Sequence, residues 1–194
     1  MIKRALILSW FVSLALAGTA FAQDDEEEID PTLEGVYLGA AVGAGFEQFD
    51  GAIDYTTSPV TSVLLGYRAS EYISIETEVD YFNGYSQKPI ERDDIVMWMW
   101  TLNFRVHIPL GRFEPYLKYG GGVLDVDGSR GTTATINSMD AAFVGGGGLA
   151  YHWTDSLSMY AEATHALAVG AVDGFDNTSV RFGFIYKFLG EEEE

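Results

Sequence analysis

Between residues 35 and 188 the sequence alternates apolar and polar side chains with a period of two. Such alternation predicts β-strands with one apolar and one polar face, because successive side chains of a strand point to opposite sides. Each run is near the length of about ten residues that a tilted membrane strand needs. Eight runs are present, at 35–46, 60–69, 72–82, 96–107, 114–124, 141–152, 156–165 and 179–188.

The connections between these runs alternate in length. Long connections at 47–59, 83–94, 125–140 and 166–178 alternate with short ones at 70–71, 108–113 and 153–155. Antiparallel strands in even number, with tight turns at one end and long loops at the other, are typical of an outer-membrane barrel. The predicted fold class is therefore all-β: an eight-stranded antiparallel transmembrane β-barrel, an up-and-down meander with both termini at the periplasmic end.

The N-terminus is typical of an export signal. Two positive charges, Lys3 and Arg4, precede an apolar segment at 5–17, and Ala20 and Ala22 supply the small residues of a signal cleavage site. A retained transmembrane anchor is the alternative. The predicted organisation is a cleaved signal peptide at 1–22, an acidic N-terminal segment at 23–34, the outer-membrane barrel at 35–188 and an acidic C-terminal tail at 189–194.

A soluble barrel such as a lipocalin would show the same alternation, so the distribution of charge has to separate the two classes. The polar faces of the runs carry five basic and four acidic residues, whereas the rest of the mature chain carries four basic and twenty-five acidic residues. A balanced set indicates a closed interior, because an unpaired buried charge is costly. The predicted lumen charge network is Arg68, Glu76, Glu78, Asp80, Arg105, Lys118, Glu162, Arg181 and Lys187.

The opposite faces of the runs carry aromatic side chains that an eight-stranded interior does not easily hold. On the outside of a barrel they can form the interfacial girdles of a lipid-exposed wall. The orientation of the runs at 114–124 and 141–152 stays open, because both are rich in glycine. The predicted lipid-facing aromatics are Trp98, Trp100, Phe104, Phe182, Phe184, Tyr186 and Phe188.

Several short motifs are shared with a known family: Tyr37-Leu38-Gly39, Leu65-Gly66-Tyr67-Arg68, Glu114-Pro115-Tyr116 and the closing strand at 180–188. With them the chain resembles the small outer-membrane β-barrel proteins of Gram-negative bacteria, which include the OmpX-like, opacity-protein-like and OmpA membrane-domain groups. The resemblance implies a location in the outer membrane. It also implies that the insertion machinery recognises the last strand and its terminal aromatic, here Phe188. Family members commonly end at that aromatic, whereas this chain continues through 189–194.

The histidines do not form a recognisable catalytic motif. The lipid A deacylase family, whose layout is similar, uses a strand-borne histidine with a serine two residues later, but His165 is followed by Ala166 and Leu167. His107 and His152 are expected to pack at the membrane interface. The sequence therefore predicts that the protein is not an enzyme.

Cofactor and metal sites are not predicted either. The glycine stretches at 120–122 and 145–148 lack the following Lys-Ser/Thr of a phosphate loop, and Asp125-x-Asp127-Gly128 lacks the later glutamate of a calcium loop. The chain has no cysteine, which excludes a disulfide scaffold and a thiolate metal site. Its formal charge of −18 and the lack of a basic stripe exclude nucleic acid as a partner.

Two uses of the lumen remain open, a salt-bridged plug or a narrow path for ions. The predicted function is a non-enzymatic barrel with a salt-bridged polar interior, acting structurally or in adhesion at the cell surface through its four long external loops. A narrow porin-like channel is the alternative, and a lipid-modifying enzyme is a remote one. Expected partners are outer-membrane lipid, lipopolysaccharide (bridged by divalent cations to the acidic loops), the insertion machinery, and a host or surface ligand.

Overall fold

A computed structural model describes residues 34–48, 57–86, 94–130 and 134–188. The predicted signal peptide with Ala20 and Ala22, residues 23–33 and the tail at 189–194 lie outside the described residues. The described part of the chain contains no helix that is long and apolar enough to cross a membrane.

The strands form one closed antiparallel barrel in which each strand pairs with the next in sequence and the last pairs with the first. This arrangement confirms the predicted fold class and its meander topology. A single 3₁₀ turn, Gly170–Val172, lies within the described connection between the last two strands. The strands are β1 (Gly35–Glu47), β2 (Ser58–Ser70), β3 (Ile73–Ser86), β4 (Asp94–His107), β5 (Phe113–Arg130), β6 (Ala134–His152), β7 (Leu157–Ala168) and β8 (Asn177–Lys187).

The two faces of each strand follow the period of two. In β4, Trp98 and Trp100 are 50% and 61% exposed, while Met97 and Met99 are buried. The structure settles the orientation of the two glycine-rich strands, which the sequence left open: Tyr119 of β5 and Phe143 of β6 lie on the outer face and are exposed.

The prediction of a long loop at 125–140 is wrong. β5 and β6 have 18 and 19 residues, and they stay paired from Leu124↔Asp140 to Arg130↔Ala134, so that only residues 131–133 lie between them. From Asp125 on, the parity of the alternation in β5 reverses: Asp125 and Asp127 lie on the outer face, while Val126 is buried in the interior. Strand pairing continues, because it depends on backbone hydrogen bonds rather than on an apolar face. Strand ends also take residues from the predicted loops at 47–59, 83–94 and 166–178.

Inward-facing glycines make room for tyrosine rings. A Cβ atom on Gly66 would lie 2.2 Å from Cζ of Tyr37, and one on Gly148 would lie 2.5 Å from the hydroxyl of Tyr116. The glycines of these strands therefore allow aromatic rings to approach the wall closely, and the rings reach into the charged interior.

The interior is layered along the barrel axis. The inward side chains of β3 run from Ser74 at the short-turn end through three carboxylates to Phe82 at the long-loop end. The prediction of a polar interior therefore holds for the short-turn part only, and at the long-loop end it is wrong. That end is filled by an apolar plug of Val60, Phe82, Tyr85, Ile95, Met97, Met99, Leu124, Val126, Ala142, Val144, Ala166, Ala168, Val172 and Phe175.

Candidate functional site

The charged interior is centred on Glu162 of β7. Its carboxylate lies 2.6 Å from Lys118 Nζ, 2.5 Å from Arg181 Nη2 and 3.5 Å from Arg105 Nη2. It also accepts a hydrogen bond of 3.1 Å from the hydroxyl of Tyr116. One carboxylate thus joins cations from β4, β5 and β8 across the lumen.

Arg181 connects β8 to the opposite wall. Its Nη1 atom lies 2.9 Å from Glu78 Oε1, forms an ion pair with Asp80, and donates a hydrogen bond of 2.8 Å to Ser62 Oγ. Glu78 also binds Lys118 Nζ at 2.7 Å. Glu78 and Asp80 therefore share Arg181, and Lys118 joins Glu78 to Glu162, which makes this layer a network rather than a set of separate pairs.

Arg105 forms the next layer toward the short turns. Its Nη2 atom lies 3.1 Å from Glu76 Oε1, and its guanidinium stacks 4.1 Å above the ring centre of Tyr116. Tyr37 donates a hydrogen bond of 2.6 Å to the same oxygen of Glu76. Cation–π contact and carboxylate together hold the guanidinium in place, well shielded from water.

A separate group lies at the short-turn end and is called the rim cluster; it consists of Arg68, Ser74, His107, Glu114 and His152. Arg68 donates bonds of 3.0 and 2.8 Å to the two carboxylate oxygens of Glu114. His107 Nδ1 lies 2.7 Å from Glu114 Oε1, and His107 Nε2 hydrogen-bonds to Ser74. His152 Nε2 lies 3.6 Å from Glu114 Oε2.

The histidine prediction needs correction. His107 and His152 are 5% and 4% exposed and lie inside the barrel, not at the membrane interface, because the period of two puts them on the inner face. His165 lies on the outer face, half-buried, with Nδ1 3.0 Å from the hydroxyl of Thr178.

Glu114 was not among the predicted lumen residues. Its signal was present in the sequence, because it shares strand parity with Tyr116 and Lys118, but it lies next to the short turn. With Glu114 included, the buried charges of the described chain are five cations and five acids, so the interior is formally neutral. Each of the predicted lumen residues is at most 5% exposed: Arg68, Glu76, Glu78, Asp80, Arg105, Lys118, Glu162, Arg181 and Lys187.

The outer wall carries the aromatic side chains. Trp100 donates a hydrogen bond of 2.6 Å from Nε1 to Thr77, so its only polar atom is satisfied on a face otherwise apolar. The rings of Tyr186 and Phe188 meet edge to face with centres 5.3 Å apart. The predicted set is 41–64% exposed: Trp98, Trp100, Phe104, Phe182, Phe184, Tyr186 and Phe188.

Two aspartates accept hydrogen bonds from backbone amides in and beside the 3₁₀ turn at the long-loop end. Asp140 of β6 accepts a hydrogen bond of 2.8 Å from the amide of Ala171, and Asp176 accepts one of 2.9 Å from the amide of Ala168. Val172, the last residue of the turn, is fully buried as part of the apolar plug.

No group of three or more histidine, aspartate or glutamate side chains is arranged to hold a metal ion, within the part of the chain that the structure describes.

Comparison with known proteins identifies the fold. Neisserial surface protein A is 13% identical with a TM-score of 0.66, and the match covers 84% of this chain and 100% of that one. Ail of Yersinia pestis, the attachment invasion locus protein, in complex with the heparin analogue sucrose octasulfate, is 12% identical with a TM-score of 0.57, covering 80% and 100%. The N-terminal barrel of OprF from Pseudomonas aeruginosa is 9% identical with a TM-score of 0.56, covering 80% and 100%.

No curated protein sequence matches the chain. The family comparison is decisive instead, because the outer membrane protein beta-barrel domain matches residues 10–188, almost the whole sequence. The resemblance noted from the sequence is thus confirmed, together with the location that it implies. The chain belongs to the outer-membrane β-barrel domain family and resides in the outer membrane.

Proposed function

We propose that this protein is a surface-interaction barrel, a structural or adhesion-type protein that acts through its external segments at 47–59, 83–94, 125–140 and 166–178. The observation that carries the proposal is the filling of the lumen: a formally neutral ion-pair network lies beneath an apolar plug. An eight-stranded barrel has little room beyond its side chains. Its outer surface is therefore the part left to act on other molecules.

The orientation follows the general layout of such barrels, in which short turns face the periplasm and longer connections face the outside. The paired extension of β5 and β6 then projects from the cell surface beyond Ala168, the last residue of β7. A paired hairpin costs less entropy to order on binding than a flexible loop of equal length, which supports a role in contact.

The charge of the external segments supports a particular class of partner. They contain eleven acidic residues against Lys88, Arg92 and Arg130. Ail was crystallised with a polyanion, whereas the acidic surface proposed here favours cationic protein surfaces, or lipopolysaccharide phosphates bridged by divalent cations.

A binding experiment tests this proposal. Full-length protein in lipid nanodiscs is exposed to an octalysine peptide and to a heparin fragment, at low and at high salt. We expect octalysine to bind, to be released by salt, and to bind at least tenfold more weakly to the variant D125N/D127N/D173N, while heparin does not bind. Equal octalysine binding by the variant would contradict the proposed surface.

The channel alternative is tested by conductance in a planar bilayer. Folded protein is expected to give no reproducible current steps, because the apolar plug lies in series with the charged layer. Steps that change in Arg105→Ala or Glu76→Ala would support a conducting lumen instead.

The proposed role also includes recognition of the last strand by the insertion machinery. Phe188 is half-exposed beyond the end of β8, and its amide donates a hydrogen bond of 2.9 Å to Val36 of β1. Phe188→Ala is expected to slow assembly in the outer membrane while leaving refolding in detergent unchanged. The remote lipid-modifying alternative is tested by incubation with labelled lipopolysaccharide, where no modified lipid is expected.

A further inference from the structure

The extension of β6 beyond the barrel wall has one edge without a neighbouring strand. Its pairing with β7 ends at Ala142↔Ala168, and the amide of Val169 donates one last bond, of 3.1 Å, to the carbonyl of Ala141. On its other side β6 stays paired with β5 as far as the tip of the hairpin. Residues 134–139 therefore have a partner strand on one side only.

Strand parity decides which backbone groups face this edge. In an antiparallel pair, the amide and carbonyl groups of alternate residues point to the same side of the strand. The bond between Val169 and Ala141 shows that the odd-numbered residues of β6 point these groups toward the β7 side. Thr135, Asn137 and Met139 therefore turn their backbone groups to the edge that lacks a strand.

Asp140 ends the β7 ladder beside the 3₁₀ turn. Its Oδ1 atom accepts a hydrogen bond of 2.8 Å from the amide of Ala141, and its Oδ2 atom accepts the bond from the amide of Ala171. The backbone groups of Asn137 and Met139 that face the edge have no partner within the part of the chain that the structure describes. The Asn137 side chain is exposed and Met139 is 62% exposed, so another chain can reach this edge.

The edge lacks the features with which strands usually avoid further pairing. Natural edge strands are commonly blocked by lysine, proline, a bulge or a covering segment. Residues 134–139 read Ala-Thr-Ile-Asn-Ser-Met, without a charge or a proline, and they pair with β5 without a shift of register. An edge of this composition is open to an added strand, whose amides and carbonyls would bond to those of β6.

The surroundings of the edge are acidic. Asp125 and Asp127 of β5 lie on the outer face, opposite Met139 and Asn137 of β6. Arg130, at the tip of the hairpin, is the only basic residue between positions 125 and 140. A strand added to the edge would lie two strand spacings, about 10 Å, from β5. A lysine or arginine on its outer face can therefore meet these carboxylates across β6.

We propose that the edge of β6 at 134–139 binds an extended, cationic segment of another protein as an added antiparallel β-strand. The inference rests on the proposed surface function and specifies how the partner is held. Bonds to the backbone of Asn137 and Met139 supply affinity for an extended chain, and the carboxylates of Asp125 and Asp127 select basic residues at alternate positions. The fitting segment is about six residues long, which is the length of the edge.

The test uses full-length protein in lipid nanodiscs and the peptide acetyl-Arg-Thr-Arg-Thr-Arg-Thr-amide, whose arginines share one face of a strand. Two further forms are N-methylated, one at every arginine and the other at every threonine, so each keeps the charge but lacks one set of alternate amide donors. We expect one form to bind like the parent peptide and the other at least tenfold more weakly. Equal affinity of the two forms would overturn the proposal, because charge alone would then hold the peptide.

A variant of the edge tests the same bonds from the side of the protein. Asn137→Pro removes one amide that faces the edge and breaks no bond to β5. It should weaken peptide binding at least tenfold, whereas Asn137→Ala, the matched control, keeps the amide and should change the affinity less than threefold. Absence of octalysine binding to the parent protein would contradict the surface function itself. Octalysine binding together with equal peptide affinity of the two variants would overturn the strand addition alone.

Hydrogen exchange of the parent protein decides the matter even where the proline variant does not fold. The amides of Asn137 and Met139 should exchange quickly in the free protein and at least tenfold more slowly with saturating peptide. The amides of Ser138 and Asp140 point toward β5 and should change little. Exchange that stays fast at Asn137 and Met139, or that slows equally at all four amides, would overturn the proposal.

Discussion

The close approach of Tyr37 to Gly66 allows a quantitative test of how the barrel interior is packed. An alanine at position 66 would place its Cβ 2.2–2.6 Å from three atoms of the tyrosine ring, where ordinary contacts begin near 3.4 Å. The ring therefore has to move by about 1 Å, which also breaks its 2.6 Å hydrogen bond to Glu76.

The expected magnitude follows from these two effects. Overpacking costs about 1–3 kcal/mol, and the loss of a hydrogen bond to a charged group costs about 1.5–3 kcal/mol. Alanine restricts the unfolded chain more than glycine, which offsets about 0.4–1 kcal/mol. Gly66→Ala should therefore lower the free energy of unfolding by about 2–5 kcal/mol.

Gly145 supplies the matched control. It lies on β6 with an exposed outer face, and a Cβ atom there meets nothing within 4 Å. Gly145→Ala should therefore be neutral or stabilising by less than about 1 kcal/mol. The assay is reversible urea unfolding in lipid vesicles, followed by tryptophan emission.

A third variant isolates the ring as the cause. In a Tyr37→Ala background, Gly66→Ala should cost little, because the side chain that it meets is gone. Equal stability of Gly66→Ala and Gly145→Ala, or a cost of Gly66→Ala that persists without Tyr37, would show that the tyrosine ring does not limit the space at position 66.

Three further predictions concern other layers. Glu162→Gln leaves three buried cations with one acid fewer and should lower the free energy of unfolding by about 3–5 kcal/mol in the same assay. Asp155→Asn in an exposed turn is the control and should change it by less than about 0.5 kcal/mol. An equally small effect at Glu162 would contradict the ion-pair network. Trp100→Arg on the outer wall should cost about 2–4 kcal/mol in a bilayer, and no cost would argue against contact with lipid there. Asp140→Asn should speed hydrogen exchange of the Ala171 amide without changing global stability, and unchanged exchange would show that this bond does not hold the 3₁₀ turn.

The direction in which each side chain of the barrel wall points could be predicted, because the period of two determines it. A strand that alternates between lipid and lumen has to repeat every two residues, so the orientation of Trp100 or Arg105 follows from parity alone. The same rule put Met97 and Met99 on the inner face. It could not show that they meet Leu124 and Val126 from the next strand in an apolar plug, because that depends on the register between strands.

The ends of the strands were less predictable for a physical reason. Apolar side chains on the outer face report where the wall meets lipid, not where backbone pairing stops, so the extension of β5 past Asp125, where aspartates take the outer face, was read as a loop. The rim cluster was missed for a related reason. His107 and Glu114 belong to different strands, on either side of the connection at 108–112, and their hydrogen bond becomes apparent only when β4 and β5 are paired.

The ion pairs that cross the lumen restrict the order of assembly. Glu78 of β3 pairs with Lys118 of β5 and with Arg181 of β8, and Glu162 of β7 also pairs with Lys118, so the network as a whole joins strands that no single hairpin contains. A hairpin that entered the bilayer alone would carry bare charges and unpaired backbone edges into hydrocarbon, at a cost of several kcal/mol for each group. Entry into the membrane and closure of β1 on β8 should therefore be a single concerted event, with partly inserted forms too unstable to accumulate.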